Sequence, residues 1–265
     1  MSIAVLYDAT KCIGCRACQV ACKQWNEMPG EITVNQGTYE NPPQLSASTF
    51  TKIRFREVED NGKFHFVFNK VQCMHCEHPA CAAACPVGAL KKTPDGPVIY
   101  DDNICFGCRY CMVACPFGIP TFQWDSPLPW IRKCTFCAGR QSNGLKPACV
   151  SACSTGALKL GEREELIAEA RERIAASPEK YVNHIYGENE AGGTSWLYLS
   201  PVPFEKLGMP TLGSEPVTLD VERAMGAVPP VLLGVATVMS GIYWLVKRRE
   251  RIRREKADAK EEVTK

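Results

Sequence analysis

The longest hydrophobic run lies near the end of the chain, where residues 224–246 carry no charge: AMGAVPPVLLGVATVMSGIYWLV. At about 1.5 Å rise per helical residue, this run is long enough to cross a hydrocarbon core of about 30 Å. A buried core helix is the alternative, but such helices seldom exceed about 20 residues without a polar face. The pattern therefore predicts one transmembrane helix, with Tyr243 and Trp244 in an interfacial aromatic belt.

An alternating pattern predicts a β-hairpin between residues 50 and 69. Residues 52–56 and 64–68 each alternate between apolar and polar side chains. Asn61 and Gly62 stand between them and are a strong hairpin-turn signal. We expect this hairpin to pack one part of the protein against another part or against a partner.

Two further segments complete the pattern before the apolar run. Residues 162–176 are charged with apolar Leu166, Ile167 and Ile174, which indicates a surface helix. Residues 181–223 are rich in Gly and Pro and have little periodicity. We expect them to form an extended connection from a folded domain, residues 1–180, to the membrane helix.

The distribution of charge predicts the orientation of the membrane helix. The formal net charge is only +2, which argues against a nucleic-acid partner. Residues 247–256, KRRERIRREK, hold seven basic and two acidic residues, whereas the segment before the helix offers only Arg223. The positive-inside rule then predicts a basic cytoplasmic tail, residues 247–265, and a periplasmic domain on a single-pass inner-membrane protein.

The start of the chain predicts how that domain is exported. The first twenty residues contain no basic segment followed by an apolar one, so no cleavable signal peptide is predicted. We therefore expect export in the folded state together with a partner that carries the signal.

The cysteines are the candidate ligands of the chain. The chain contains 16 cysteines, and they fall into four groups of four. Group one is Cys12, Cys15, Cys18 and Cys22; group two is Cys73, Cys76, Cys81 and Cys85; group three is Cys105, Cys108, Cys111 and Cys115; group four is Cys134, Cys137, Cys149 and Cys153. Groups one and three share the spacing C-x2-C-x2-C-x3-C.

This spacing predicts four 4Fe-4S clusters, because three thiolates on a tight loop can bind one cubane while the fourth points to a neighbouring cluster. Disulfides would not require four similar groups. Structural zinc needs two C-x2-C pairs with a longer spacer, which suits group four alone. One group that binds zinc or a 3Fe cluster is the remaining alternative.

The order of the groups predicts an α+β fold of two bacterial-ferredoxin-like modules. Groups two and three follow the usual ferredoxin order, with a strand at 98–100 between them, and form an inserted module, residues 70–125. Group four ends like a first half, and group one follows a strand at 3–7 like a second half. Residues 1–25 and 130–160 would then form a permuted module around the inserted one.

Helix direction after each loop and this strand order predict that the groups exchange their fourth cysteines. Four ligand sets result: set A is Cys12, Cys15, Cys18 and Cys153; set B is Cys22, Cys134, Cys137 and Cys149; set C is Cys73, Cys76, Cys81 and Cys115; set D is Cys85, Cys105, Cys108 and Cys111.

The runs CIGCRACQVACKQWN, YENPPQLSASTFTKIRF, CMHCEHPAC and GGTSWLYL resemble the β subunit of membrane-bound respiratory formate dehydrogenases. The resemblance covers almost the whole chain. It implies a non-catalytic electron-transfer subunit that carries four clusters between a large molybdenum or tungsten pterin subunit and a membrane cytochrome b subunit that reduces quinone. It also implies that all sixteen cysteines ligate iron, and no residue is assigned to catalysis.

Two alternatives remain at this point. The run GCRYCMVACPFGIP and residues 185–194 are also similar to the iron-sulfur subunit of a periplasmic nickel-iron hydrogenase. A free-standing membrane-anchored ferredoxin would have the same cysteine pattern.

Overall fold

The computed structural model describes the backbone of residues 2–60, 62–127 and 129–263, and their side chains except at 220–226 and 254–263. The chain divides into two compact units, Met1–Thr218 and Leu219–Lys265. All four cysteine groups belong to the first, which we call the cysteine unit.

The described part of the cysteine unit combines short strands and short helices in the α+β arrangement that the sequence predicts. The strands are β1 (Ile3–Asp8), β2 (Lys52–Asp60), β3 (Lys63–Val71), β4 (Leu90–Lys92), β5 (Val98–Tyr100), β6 (Thr121–Phe122), β7 (Ile131–Arg132), β8 (Leu158–Glu162) and β9 (Trp196–Leu199). The helices are α1 (Ala17–Trp25), α2 (Ala80–Ala83), α3 (Tyr110–Ala114), α4 (Ala138–Gln141), α5 (Ala148–Ser151) and α6 (Arg163–Ala176), with 3-10 turns at Glu190–Gly192 and Phe204–Leu207.

A three-stranded sheet in the order β8-β1-β9 joins distant parts of the chain. Strand β1 pairs antiparallel with β8 and parallel with β9. Because side chains alternate along a strand, the two faces of β1 have different roles. Ala4 and Leu6 pack with α6, whereas Val5 and Tyr7 face the core that contains Cys18.

Helix α6 confirms the prediction for residues 162–176, with bounds Arg163–Ala176. Its buried residues Leu166, Ile167, Ala170 and Ile174 lie at helical spacing on one face. This face covers one side of the sheet and anchors the helix there.

The predicted hairpin is present as β2 and β3, which pair antiparallel from Lys52 with Val71 to Asp60 with Lys63. Asn61 lies outside the described residues, and Gly62 has a positive φ of 73°. Phe55, Phe66 and Phe68 form aromatic contacts on one face, with Phe55 and Phe68 centroids 5.1 Å apart.

The elements around the cysteine groups pack in two pairs. Helix α1, which contains Cys18 and Cys22 of group one, packs against α5 of group four, and β1 pairs with β8. Helix α2 of group two packs against α3 of group three, and β4 pairs with β5. These contacts support the predicted combination of groups one and four and of groups two and three.

Residues 181–223 differ from the extended connection that the sequence predicts. Residues up to Thr218 belong to the cysteine unit, and β9 completes its sheet with all four residues buried. Strands that are buried on both faces have no polar alternation, so periodicity gives no signal for β9. The Gly and Pro residues around it form turns, and Phe204 and Leu207 of the second 3-10 turn are also buried.

The described part of the second unit belongs to one long helix, α7 (Thr218–Val263), with Pro229 and Pro230 inside it. Its segment Ala227–Arg253 contains a stretch of 18 residues with a mean hydropathy of 1.6, none of which is buried. This one helix is long and apolar enough to cross a membrane, as predicted, although it begins before residue 224.

Candidate iron-sulfur sites

Four thiols from two distant groups line one buried cavity. Cys22, at the end of group one, lines it together with Cys134, Cys137 and Cys149 of group four. The structure therefore brings together the four cysteines of set B, and their ligation of one cluster remains a prediction.

A second cavity brings together the four cysteines of set D. Cys85 of group two lines it with Cys105, Cys108 and Cys111 of group three. Apolar residues such as Leu90 surround the thiols.

Electrostatic interactions show that the members of the other two sets lie close to one another. Burial raises the pKa of Cys12, and the charges of Cys15 and Cys153 add to this effect. Set A therefore includes a group-four cysteine beside group-one cysteines. In set C, burial has the largest effect on the pKa of Cys76. The charges of the other three members, Cys73, Cys115 and Cys81, raise this pKa further.

The thiols are chemically suited to bound iron. Burial raises the pKa to about 12 in Cys22 and Cys81, and to about 11 in Cys18 and Cys111. A buried thiolate without a cation is unfavourable, whereas a coordinated metal deprotonates the thiol and offsets its charge. Sulfur-lined cavities with buried thiols therefore fit iron-sulfur clusters. Among the side chains that the structure describes, no three His, Cys, Asp or Glu residues form a site for a single metal ion.

Backbone amides also point at sulfur. The Ala89 N–H donates to Cys85 Sγ at 3.2 Å, and the Phe136 N–H donates to Cys134 Sγ at 3.4 Å. Burial alone would raise the pKa of Cys85, but amides from residues 87 to 90 outweigh it and lower the pKa. Such donors stabilise negative charge on sulfur, which is one determinant of cluster potential.

The structure reveals a longer repeat than the cysteine spacing shows. Tyr7 and Tyr100 occupy equivalent positions 93 residues apart, and each lies five residues before the first cysteine of its group. Each interacts through its hydroxyl with that cysteine, Cys12 or Cys105. Sequence analysis missed both tyrosines, although an internal alignment of YDATKCIGCRAC with YDDNICFGCRYC contains the signal.

Comparison with known proteins places the chain in a family. Residues 11–89 and 64–163 both match the 4Fe-4S dicluster domain family. The iron-sulfur subunit of the nitrate-inducible formate dehydrogenase of Escherichia coli K12 is 41% identical over 200 residues, which are 74% of this chain and 67% of that subunit. This chain belongs to the same family of iron-sulfur subunits.

Other members match more of the chain. A protein of Nitratidesulfovibrio vulgaris is 43% identical over 259 residues, or 95% of this chain and 68% of its own length. The hydrogenase-2 operon protein HybA of Escherichia coli O157:H7 is 36% identical over 281 residues, covering 93% of this chain and 84% of that protein. The predicted resemblance to formate dehydrogenase iron-sulfur subunits is thus confirmed, alongside a hydrogenase-operon relative.

Proposed function

We propose that this chain is the electron-transfer subunit of a membrane-bound formate dehydrogenase, with one 4Fe-4S cluster on each of sets A to D. It would pass electrons from a large molybdenum or tungsten pterin subunit to a cytochrome b subunit that reduces quinone. Bound 4Fe-4S clusters supply one-electron carriers at these four positions.

The observation that carries this proposal is the order in which the four sets lie next to one another. Burial has the largest effect on the pKa of Cys18 in set A, and the negative charge of Cys149 in set B raises it further. Sets A and B therefore lie next to each other. Cys73 of set C likewise raises the pKa of Cys134 in set B. Cys111 of set D also raises the pKa of Cys81 in set C. The order A-B-C-D supports stepwise transfer through the cysteine unit.

The two ends of this order lie near the surface. In the loop of set A, Cys15 is exposed and the side chain of Ile13 is 61% exposed. In the loop of set D, Phe106 and Tyr110 are 65% and 63% exposed. Sets A and D would therefore exchange electrons with the partner subunits, whereas Cys22 and Cys134 of set B are buried.

We propose that α7 anchors the chain in the lipid bilayer, with the cysteine unit in the periplasm and the C-terminus in the cytoplasm. The basic block at 247–256 supports this orientation. A reporter that is active only in the cytoplasm, fused after Lys265, should be active. Activity of a periplasm-specific reporter at the same position would reverse the orientation.

A hydrogenase is the second candidate for the complex, because the HybA relative matches 93% of this chain whereas the formate dehydrogenase subunit matches 74%. In that case the catalytic partner would be a nickel-iron subunit. The large subunit that co-purifies with the chain separates the two candidates.

The decisive test uses the complex purified from its native membrane. We expect about sixteen irons and as many acid-labile sulfides per chain. Formate should bleach the cluster absorbance within the complex, and added quinone should restore it. Reduction by hydrogen alone would favour the second candidate, and four or fewer metals per chain, all zinc, would refute the cluster assignment.

A further inference from the structure

Trp196 has a buried indole N–H that no hydrogen-bond acceptor satisfies among the described residues. The side chain is 0% exposed and belongs to β9. It also lines the cavity that the four thiols of set B surround. Leaving such a donor unpaired in the interior is unfavourable, so a buried N–H of this kind requires an explanation.

A buried cation lies beside this indole. The Lys70 ammonium is 4.7 Å from the centre of the Trp196 ring and lines the same cavity. It donates to Gln72 Oε1 at 3.0 Å and to the Thr51 hydroxyl, both of which are neutral acceptors.

Cysteine side chains surround Lys70, and those of Cys22, Cys134 and Cys149 line the same cavity. Once deprotonated, Cys149, Cys18, Cys134 and Cys22 attract the Lys70 ammonium. Three of these four belong to set B, and Cys18 belongs to the adjoining set A. The ammonium is therefore positioned where cluster binding would concentrate negative charge.

We infer that Trp196 and Lys70 tune the cluster bound by set B: the indole N–H donates a hydrogen bond to one of its sulfur atoms, and the ammonium offsets its negative charge. This inference rests on the proposed function. Both interactions strengthen when the cluster gains an electron, so both raise its reduction potential. Trp196 and Lys70 are thus positioning and tuning residues rather than ligands.

Redox titration of the purified complex, monitored by electron paramagnetic resonance, tests this inference. Lys70→Met removes the charge, and we expect the ratio of reduced to oxidised set-B cluster at a fixed potential to fall about tenfold, a shift of about 59 mV for one electron. Trp196→Phe keeps a ring over Lys70 but lacks the N–H, and should shift the same cluster in the same direction by less. Lys70→Arg keeps the charge and should restore most of the potential.

Two matched substitutions serve as controls. Trp124→Phe changes a tryptophan that is 66% exposed. Lys180→Met changes an exposed lysine that also lies over a ring, with its ammonium 5.6 Å from the centre of Tyr181. Neither should move any of the four potentials.

A second readout needs no substitution that might prevent assembly. In the unsubstituted complex with ¹⁵N-labelled indole, the reduced set-B cluster should show a hyperfine coupling to one tryptophan nitrogen. The coupling should be absent in Trp196→Phe. No coupling in the labelled complex, or unchanged potentials in the Trp196 and Lys70 variants, would overturn the inference while iron content and formate-dependent reduction left the proposed function intact.

Discussion

Groups one and three have the same cysteine spacing and nearly the same local backbone, yet they lie in different surroundings. Arg16 and Arg109 precede α1 and α3 with left-handed φ values of 61° and 64°. Their guanidinium groups also lie over aromatic rings, Phe55 for Arg16 and Phe122 for Arg109. The two loops therefore share the same conformation at this position.

The residue after the last cysteine accounts for one difference between the two groups. Pro116 follows Cys115, and a residue before proline disfavours the helical region, so Cys115 is extended with ψ of 114° and α3 ends at Ala114. Group one has Lys23 in that place, and α1 continues to Trp25. Local sequence thus determines the length of each helix.

Packing is the other difference, and it comes from the rest of the chain. The hairpin lies over group one, where a Cβ at Gly14 would come within 2.7 Å of the Phe68 ring. At Gly107 of group three the nearest atom, in Phe122, would be 3.4 Å away. Identical motifs therefore pack against different neighbours, the hairpin at group one and Phe122 at group three.

Exchange of the fourth cysteine is the feature whose loss should have the largest effect. Cys153→Ser should abolish or convert the cluster of Cys12, Cys15 and Cys18, and spare the cluster of set B. Cys85→Ser should abolish or convert the cluster held by Cys105, Cys108 and Cys111 of group three. Each variant should lose up to about four of about sixteen irons, measured by iron analysis and by the loss of one spectroscopic signal.

The comparison also predicts unequal effects on stability. Cys153 packs against the main core with Val5 and Tyr7, whereas Cys85 packs against a smaller cluster at Leu90. Thermal unfolding should therefore be lowered more by Cys153→Ser than by Cys85→Ser. If the loss in Cys153→Ser were confined to the cluster of its own group-four cysteines, each group would bind its own cluster and the exchange would be wrong.

The paired loop glycines should show a smaller difference. Gly14 and Gly107 have φ values of 67° and 76°, a region that costs other residues about 1–2 kcal/mol. Gly14→Ala should lose more stability than Gly107→Ala, because the new methyl group would also clash with the Phe68 ring. Thermal unfolding of the iron-loaded protein measures both.

Gly139 provides the control for the glycine pair. It lies in α4, and a Cβ there would meet nothing within 4 Å. Gly139→Ala should therefore leave unfolding unchanged or raise its temperature slightly. Equal losses in Gly14→Ala and Gly107→Ala would mean that the hairpin does not constrain group one.

The sequence predicted the features that depend on local pattern: the hairpin, α6, the apolar helix and the cysteine groups. It missed those that depend on burial from both sides. Strand β9 is one case, because four consecutive apolar residues between glycines and prolines have no periodicity. Lys70 is another, since lysine is almost never fully buried without a partner and nothing near it in sequence indicates the thiols around it.

The two equivalent tyrosines give the smallest and most pH-specific prediction. Burial, followed by interaction with Cys12, raises the pKa of Tyr7 well above its ordinary value of about 10. Burial and then Cys105 likewise raise the pKa of Tyr100. A raised pKa means that the folded state favours the protonated phenol. Its contribution to stability is complete below about pH 10 and is lost as the pH rises towards the folded-state pKa.

Tyr7 should contribute more to this alkaline loss than Tyr100, because its side chain is buried and Tyr100 is partly exposed. The Tyr7 hydroxyl donates to the Phe68 carbonyl at 2.6 Å, whereas the Tyr100 hydroxyl accepts from the Ile131 N–H at 3.3 Å. Tyr7→Phe should therefore cost about 1 kcal/mol at pH 8 and flatten the decline in unfolding free energy between pH 9 and 11 more than Tyr100→Phe does. An equal pH dependence in the two variants would show that the equivalent positions also share the same environment, contrary to the different burial of Tyr7 and Tyr100.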